Sequence, residues 1–262
     1  METKGPGIGK WALITGASQG IGYEFTRLFA KDGYNLVLVA RDRTRLEEVA
    51  AETRASSRAT LKVLVKDLAS PGAAREILDE LDSERIFVSI LVNNAGFGFQ
   101  GRFVDHEIQR DRDLVQVNIT ALVELARLFL PQMIARREGR ILNVASTAAF
   151  QPGPFLAMYY ASKAFVYSFS CALSQELAGT CVTVTTFCPG LTQSKFHARA
   201  GLKRRGGILM MDADRVARIG YRALMRGKPI AIAGILNKLM CAASKASPTW
   251  LTARVAGWLN KS

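Results

Sequence analysis

Trp-Ala-Leu-Ile-Thr-Gly-Ala-Ser-Gln-Gly-Ile-Gly, residues 11–22, is an apolar run that stops at a glycine-rich turn. The apolar run predicts a buried strand, and the spacing of apolar residues over 23–32 predicts a helix directly after the turn. Glycines let a backbone approach a phosphate closely, and a helix N-terminus presents free N–H groups and a partial positive charge. The stretch therefore favours a dinucleotide site, although the same glycines alone also suit an ordinary turn.

Further strands and helices alternate along the rest of the chain. Apolar runs predict strands at 35–40, 61–65, 88–92, 141–145, 182–187 and 230–233. Helical spacing between them predicts helices at 43–54, 71–81, 111–136, 165–177 and 212–225. This order predicts an α/β fold: a doubly wound, Rossmann-type, seven-stranded parallel sheet with helices on both faces, in a single domain over 1–262. We expect 8–190 to form the cofactor-binding and catalytic core, 191–229 a substrate-loop region, and 235–262 a C-terminal helical extension.

Composition narrows the classes of partner and compartment. The formal net charge of +13 favours acidic partners, but the basic residues are scattered, so we expect no nucleic-acid partner. The four cysteines show no paired spacing and the two histidines lie far apart, which predicts free thiols and no metal site. The first ten residues lack the apolar core of a secretory signal peptide. These features predict a cytoplasmic location.

Residues 142–163 bring together side chains suited to proton transfer. The strand at 141–145 ends at Ser146, and the helix after the following loop carries Tyr159 and Lys163 one turn apart. Lowering the pKa of a tyrosine from about 10 to about 7 requires roughly 4 kcal/mol, and one charge about 4 Å away supplies about that much. We therefore predict that Lys163 lowers the pKa of Tyr159, although a Tyr four residues before a Lys is also common by chance.

The end of the second strand bears on the choice of cofactor. An acidic residue there would accept a hydrogen bond from a ribose 2′-hydroxyl, whereas a basic one would bind a 2′-phosphate. Arg41 comes first and Asp42 follows. The order predicts NADP(H) rather than NAD, with an inward-turned Asp42 as the alternative. Asp67, after the third strand, is either an adenine ligand or a turn former.

Taken together, the motifs of this chain resemble those of the short-chain dehydrogenase/reductase family. The ordered set is Thr15-Gly16-x-x-x-Gly20-x-Gly22, Asn93-Asn94-Ala95-Gly96, Asn118, Ser146, Tyr159-x-x-x-Lys163 and Pro189-Gly190. Within the family, the chain is most similar to the NADP-dependent bacterial branch, which has Val-Ala-Arg after the second strand. The resemblance implies hydride transfer between NADP(H) and a carbonyl or secondary alcohol.

The resemblance also implies residue roles. Tyr159 rather than Tyr160 would be the acid/base, Lys163 its pKa partner and a ligand of the nicotinamide ribose, and Ser146 the donor that orients the carbonyl. Asn118 would hold a proton-relay water. Without the resemblance, a polar residue on the protein surface is an equally good interpretation of Asn118. The expected cofactor contacts are Gly16, Ser18, Gln19, Gly20, Ile21, Gly22, Arg41, Asp67, Leu68, Asn93, Ala95, Gly96, Tyr159, Lys163, Pro189, Gly190, Thr192 and Ser194. The family often has a threonine near the position of Ser194. Ser194 keeps a hydroxyl group there.

Apolar residues near the expected reacting carbon favour a hydrophobic ketone, such as a 3-oxoacyl chain or a steroid-like ring, over a sugar. They are Phe97, Phe99, Phe150, Pro152, Pro154, Phe155, Leu156 and Phe196. The basic loop at 203–205 would attract an acyl-carrier phosphate. A non-catalytic NADP(H)-binding regulatory protein is the alternative function.

Two surfaces are expected to make larger contacts. The helices at 111–137 and 159–178 predict a homodimer or homotetramer. The tail 235–262 consists of two apolar and basic segments divided by Ser247-Pro248. We favour packing of the tail over the pocket or across a dimer, with membrane-surface contact by a lipid reductase as the weaker interpretation.

Overall fold

The computed structural model describes residues 5–193 and 210–261. Nine strands are present in these residues: β1 Trp11–Thr15, β2 Asn35–Ala40, β3 Leu61–Val65, β4 Val88–Asn93, β5 Gly139–Val144, β6 Val182–Cys188, β7 Thr192–Gln193, β8 Met211–Asp212 and β9 Ile230–Ile232. Seven of them form one parallel sheet in the order β3-β2-β1-β4-β5-β6-β9. The predicted seven-stranded parallel sheet is confirmed.

Helices cover both faces of this sheet. They are α1 Gly20–Lys31, α2 Arg43–Ser56, α3 Ala73–Ser83, α4 Ile108–Val115, α5 Ala121–Ala135, α6 Ala157–Glu176, α7 Ala213–Met225, α8 Ile235–Ala246 and α9 Thr249–Asn260. Alternate residues of β1 face opposite sides: Ile14 packs with α1, α2 and α7, and Leu13 packs with α3 and α5. Because both faces are buried, the strands read as continuous apolar runs.

The order of the strands places a crevice above the middle of the sheet. The chain moves from β1 outward to β2 and β3, then returns to place β4 on the other side of β1. Ligands of open α/β sheets bind at the carboxyl ends of strands where the winding direction reverses. The turns after β1 and β4 meet at this reversal.

The long helix predicted over 111–136 begins earlier and is interrupted. It consists of α4, a π-helical turn at Gln116–Thr120 and α5. The π-turn contains Asn118, whose side chain is 1% exposed. An average periodicity of 3.6 residues does not reveal one extra residue in a turn, so the sequence predicted a single regular helix.

The helical run 108–135 is long and apolar enough to cross a membrane, with a mean hydropathy of 1.4. However, Leu122, Leu125, Phe129 and Met133 are buried in the core of the domain. We therefore assign this run as a core helix of the α/β domain.

Two other boundaries differ from the prediction. The helix expected from Pro71 starts at Ala73, because Gly72 adopts a left-handed conformation (φ 86°) before it. The paired strands β7 and β8 were not predicted, because two residues are too few to show periodicity. The tail does form two helices that are separated at Ser247-Pro248. The finer division at 190 and 229 stays a prediction.

Candidate active site

The turn between β1 and α1 forms an anion cradle. Gly16 and Gly20 have positive φ values of 67° and 56°, which disfavour residues with a side chain. The α1 N-cap residue, Gln19, makes no side-chain capping bond, so the first N–H groups of the helix remain available to a ligand. These features fit the pyrophosphate of a dinucleotide.

Gly22 serves the packing behind the cradle. A Cβ at Gly22 would lie 2.2 Å from the Gly16 carbonyl oxygen and 2.6 Å from Asn94 Nδ2. The Asn94 amide in turn donates to the Thr15 carbonyl at 2.9 Å. Gly22 therefore lets α1 approach the strand end, and the structure places it behind the cavity rather than in its wall.

The rim beyond β2 separates the roles of Arg41 and Asp42. Asp42 Oδ1 accepts from the Arg45 backbone N–H at 3.0 Å and so caps α2. Both residues are exposed and line the cavity rim, but one Asp42 oxygen is occupied by the helix cap, whereas the Arg41 guanidinium is open to a ligand. This arrangement favours a cationic environment for the adenosine ribose.

Asp67 and Leu68 follow β3 at the adenine end of the cavity. Asp67 Oδ1 accepts from the Ala69 N–H at 3.0 Å, so the residue forms a turn, and it is also exposed to the cavity. The interpretation of Asp67 as a turn former is confirmed, and its role as an adenine ligand stays a prediction. Leu68 is buried and supplies an apolar wall.

Asn93 is not a cofactor ligand through its side chain, which corrects the sequence-based prediction. Its amide lies in the core, donating to Asn143 Oδ1 at 2.9 Å, and Asn143 donates to Ser170 Oγ at 2.9 Å. Side chains of successive strand residues point to opposite sides, so Asn93 turns inward where the next residues reach the cavity. Ala95 and Gly96 do line the cavity.

Tyr159 and Ser146 meet at the carboxyl end of β5. The Ser146 side chain makes a hydrogen bond to Tyr159, and Ser146 Oγ also accepts from the Ala148 N–H at 3.1 Å. A Cβ at Gly98 would lie 2.8 Å from the Tyr159 ring, so glycine is required there. Tyr160 instead contacts Asn260, at 3.4 Å. The geometry therefore selects Tyr159 as the phenol that faces Ser146.

Lys163 lies below the phenol and is almost fully buried. Its Nζ donates to the Val144 carbonyl at 2.8 Å and lies 5.9 Å from the centre of the Tyr159 ring. Burial lowers the pKa of Lys163 to about 8. A Cβ at Gly96 would approach Lys163 Nζ to 3.2 Å, so this glycine leaves room for the ammonium.

The pKa of Tyr159 differs from the expectation. Burial raises the pKa of Tyr159 to about 12, although the hydrogen bond from Ser146 opposes the rise. Lys163 Nζ donates to the Val144 carbonyl, and a lowering of the Tyr159 pKa by Lys163 stays a prediction. Near neutral pH the residue is therefore a protonated phenol beside a partly desolvated ammonium.

Asn118 is brought close to this group but does not line the cavity. Asn118 Oδ1 accepts from the Phe97 N–H at 3.0 Å, and Nδ2 donates to the Phe97 carbonyl at 2.9 Å and to Ser162 Oγ at 3.0 Å. The side chain thus fixes the segment after β4 to α6. A surface location for Asn118 is wrong, and its implied role with a relay water stays a prediction.

Most of the other predicted contacts line one cavity of about 800 Å³. Those in its wall are Gly16, Ser18, Gln19, Gly20, Ile21, Arg41, Asp67, Leu68, Ala95, Gly96, Ser146, Tyr159, Lys163, Pro189, Gly190 and Thr192. Ser194, Phe196 and 203–205 lie outside the described residues. The protein carries a continuous space from the α1 cradle to the Ser146–Tyr159 pair.

The substrate end of the cavity was predicted less well. Phe97 and Leu156 line it. Phe99 instead packs edge-on against His106, and Phe150 against Tyr167. The tail helices supply wall residues that local sequence patterns do not reveal: Asn237, Met240, Cys241, Ala256, Trp258, Leu259 and Asn260. The expected packing of the tail over the pocket is confirmed, although the individual wall residues were not predicted.

A doubly wound sheet with a pyrophosphate cradle and a Ser–Tyr–Lys group at one crevice defines a nicotinamide-dependent oxidoreductase fold and site. Residues 10–204 match the family model described as short chain dehydrogenase. The chain therefore belongs to the short-chain dehydrogenase/reductase family.

Individual relatives share about a third of their aligned residues with this chain. A very-long-chain 3-oxoacyl-CoA reductase of Anas platyrhynchos is 34% identical over 73% of this chain and 62% of that protein. A 17-beta-hydroxysteroid dehydrogenase type 3 of Mus musculus is 36% identical over 70% of this chain and 60% of its own length. The matched part thus spans about three fifths of these relatives. A short-chain dehydrogenase from Sphingobium yanoikuyae in complex with NADPH superposes with a TM-score of 0.81, at 31% identity, over 90% of this chain and 94% of that one.

Proposed function

We propose that the protein transfers a hydride between NADP(H) and the carbonyl or secondary alcohol of a hydrophobic substrate. The observation that carries the proposal is the hydrogen bond between Ser146 and Tyr159, with Lys163 beneath it, in the cavity that continues to the α1 cradle. Three polar groups, one from the end of β5 and two from α6, converge there. Such convergence is what proton transfer to a carbonyl oxygen requires.

The chain's own groups would orient and protonate the carbonyl. Bound NADPH supplies the hydride. Ser146 and Tyr159 donate to the substrate oxygen, and Tyr159 then gives up its proton to it. Because the pKa of Tyr159 is about 12, the phenol is protonated at neutral pH and ready for reduction. The Lys163 ammonium, 5.9 Å from the centre of the Tyr159 ring, would hold the nicotinamide ribose.

Tyr159→Phe tests this assignment. Loss of acid/base chemistry should lower kcat by about 10²- to 10⁴-fold, while NADPH binding measured by fluorescence titration stays within a few-fold. Tyr160→Phe is the matched control, because Tyr160 lines the same cavity without contacting Ser146 in the described geometry. Full turnover by a folded Tyr159→Phe protein would contradict the proposed chemistry.

NADP(H) is proposed as the cofactor on the basis of Arg41 and of Asp42 capping α2. Arg41→Asp should reduce the ratio of kcat/KM for NADPH over NADH by at least about tenfold, because a carboxylate repels a 2′-phosphate and accepts from a 2′-hydroxyl. Arg43→Asp, exposed two residues later and outside the cavity wall, makes the same charge change as a control. An unchanged ratio in Arg41→Asp would remove the 2′-phosphate from this position.

The substrate is proposed to be a 3-oxoacyl or steroid-like ketone. The names of the two relatives above support this class, and Leu156, Met240, Trp258 and Leu259 give the cavity an apolar wall. Stopped-flow oxidation of NADPH with 3-oxoacyl thioesters, steroid ketones and sugar ketones compares the candidates. Faster turnover of the sugars would contradict the proposal. Absence of turnover with every ketone, despite NADPH binding, would support the alternative of a regulatory NADP(H)-binding protein.

We also propose a cytoplasmic location and a homo-oligomer. The four cysteines are free, which suits a reducing compartment. Exposed apolar residues, Phe165 on α6 and Ile134 on α5, support self-association through these two helices.

A further inference from the structure

The two tail helices carry exposed apolar faces. Ile235 is 77% exposed on α8, and Trp250 and Trp258 are 67% and 76% exposed on α9. The other large apolar residues at helical spacing are also exposed. We call the whole set the tail face: Ile235, Leu236, Leu239, Met240, Trp250, Leu251, Val255, Trp258 and Leu259.

The opposite sides of both helices hold them on the domain. Ser244 Oγ donates to Gln151 Oε1 at 2.5 Å on α8. Asn260 Nδ2 donates to the Pro154 carbonyl at 3.1 Å on α9. A Cβ at Gly257 would contact Pro154 at 3.3 Å, so α9 also packs closely. The apolar outer sides are thus presented by anchored helices.

The charges carried by the two tail helices are all positive. After Asp214 the sequence contains no acidic residue, and its basic residues are Arg215, Arg218, Arg222, Arg226, Lys228, Lys238, Lys245, Arg254 and Lys261. Those on or beside α8 and α9 are all exposed: Lys238, Lys245, Arg254 and Lys261. A partner that covers the tail face must therefore be apolar inside and negatively charged at its surface.

We propose that the tail face lies on the surface of an anionic lipid bilayer. Each helix has 12 residues, or about 18 Å, and is too short to cross a hydrocarbon core of about 30 Å. Exposed tryptophans beside leucines and basic side chains match the composition of helices that lie in the lipid interface. A second copy of the chain fits less well, because a two-fold contact through the same face brings like charges together.

Docking in this way would place the mouth of the cavity at the lipid. Met240, Trp258 and Leu259 belong both to the tail face and to the cavity wall. A hydrophobic ketone dissolved in the bilayer would then enter without crossing water. This last step rests on the proposed function, whereas lipid binding itself does not.

Co-sedimentation of the full chain with vesicles tests the proposal. Wild type should pellet with phosphatidylcholine vesicles that contain phosphatidylglycerol, and less with phosphatidylcholine alone or at high salt. Trp250→Ser and the double variant Lys238→Glu/Arg254→Glu should each weaken the partition constant at least about tenfold. None of these three residues lines the cavity, so kcat/KM on a water-soluble ketone should not change.

Arg54→Glu/Arg58→Glu is the matched control, with the same change in net charge at exposed positions around the end of α2. It should bind vesicles as wild type does, and circular dichroism and Tm confirm that all variants fold. Equal binding by wild type and the tail variants would overturn the proposal. Failure of wild type to bind anionic vesicles would also overturn it. If light scattering then showed an oligomer that Trp250→Ser dissociates, a second copy of the chain would cover the tail face. A catalytically inactive protein that binds vesicles as described would refute the proposed function alone.

Discussion

The buried ammonium of Lys163 lowers the stability of the folded state. The ammonium has one carbonyl partner, Val144, and burial lowers its pKa from 10.5 to about 8. A group whose charge is disfavoured in the folded state destabilises that state while it remains charged. The position is therefore better explained by chemistry than by packing.

The pH dependence of stability follows with a definite sign. Between pH 8 and 10.5 the unfolded chain retains the Lys163 proton that the folded chain releases, so this residue's contribution to the free energy of unfolding rises with pH in that window. Lys163→Met should be more stable than wild type below pH 8, by up to about 3 kcal/mol, and the difference should shrink toward pH 10.5. Urea unfolding of both proteins across this range measures it, and a constant difference would contradict the buried charge.

Tyr159 titrates in the other direction. Burial raises its pKa from 10.0 to about 12, so its contribution to stability is retained up to pH 10 and lost as the pH rises toward 12. This window lies mostly above that of Lys163, and wild type and Lys163→Met both contain Tyr159. Comparing those two proteins thus isolates the lysine.

Among the elements, β1, the glycine turn and α1 were the most predictable. Their signals are local: an apolar run, glycines at positive φ and a helix directly after them. The side chain of Asn93 was expected in the cavity rather than in the core because the choice depends on which face of β4 it occupies. Asn118 was ambiguous because a π-turn has no periodic signature. Packing of the tail over the pocket was expected, but the residues of α8 and α9 that form the wall were not identified, because they depend on contacts made far along the chain.

Gly22→Ala tests the close approach of α1 to the strand end. The methyl group would meet the Gly16 carbonyl oxygen at 2.2 Å, so α1 must shift. We expect a loss of about 1–3 kcal/mol in the free energy of unfolding and a roughly tenfold increase in the Kd for NADPH. Gly72→Ala is the control, since nothing lies within 4 Å of its Cβ position. It should reduce stability through its positive φ while NADPH binding is retained, and equal effects on Kd would argue against a shifted cradle.

The molecule also exposes apolar residues on α5 and α6, apart from the tail face. On α6, Phe165 is 41% exposed and stacks on Phe169, with ring centres 6.0 Å apart. Ile134, near the end of α5, is also exposed. These residues lie on the helices for which self-association is proposed.

Phe165→Glu should dissociate such an oligomer, because it places a charge in the centre of an apolar contact. Light scattering coupled to size-exclusion chromatography would then give the monomer mass, 28.6 kDa, for the variant and a multiple of it for wild type. Ile8→Glu is the control, as an exposed apolar residue beside the turn that follows α1. A monomeric wild type would refute the proposed assembly.

The buried amide pair at the centre of the sheet has a consequence for how the chain folds. Asn93 and Asn143 are direct neighbours across β4 and β5, and their side chains bond to each other. The apolar residues of these strands are nearly interchangeable, so burial alone distinguishes poorly between alignments shifted by two positions. In a shifted alignment both amides would be buried in an apolar interior without this hydrogen bond, which costs free energy. The pair therefore specifies the register of β4 and β5, because it destabilises a mispaired sheet more than it stabilises the correct one.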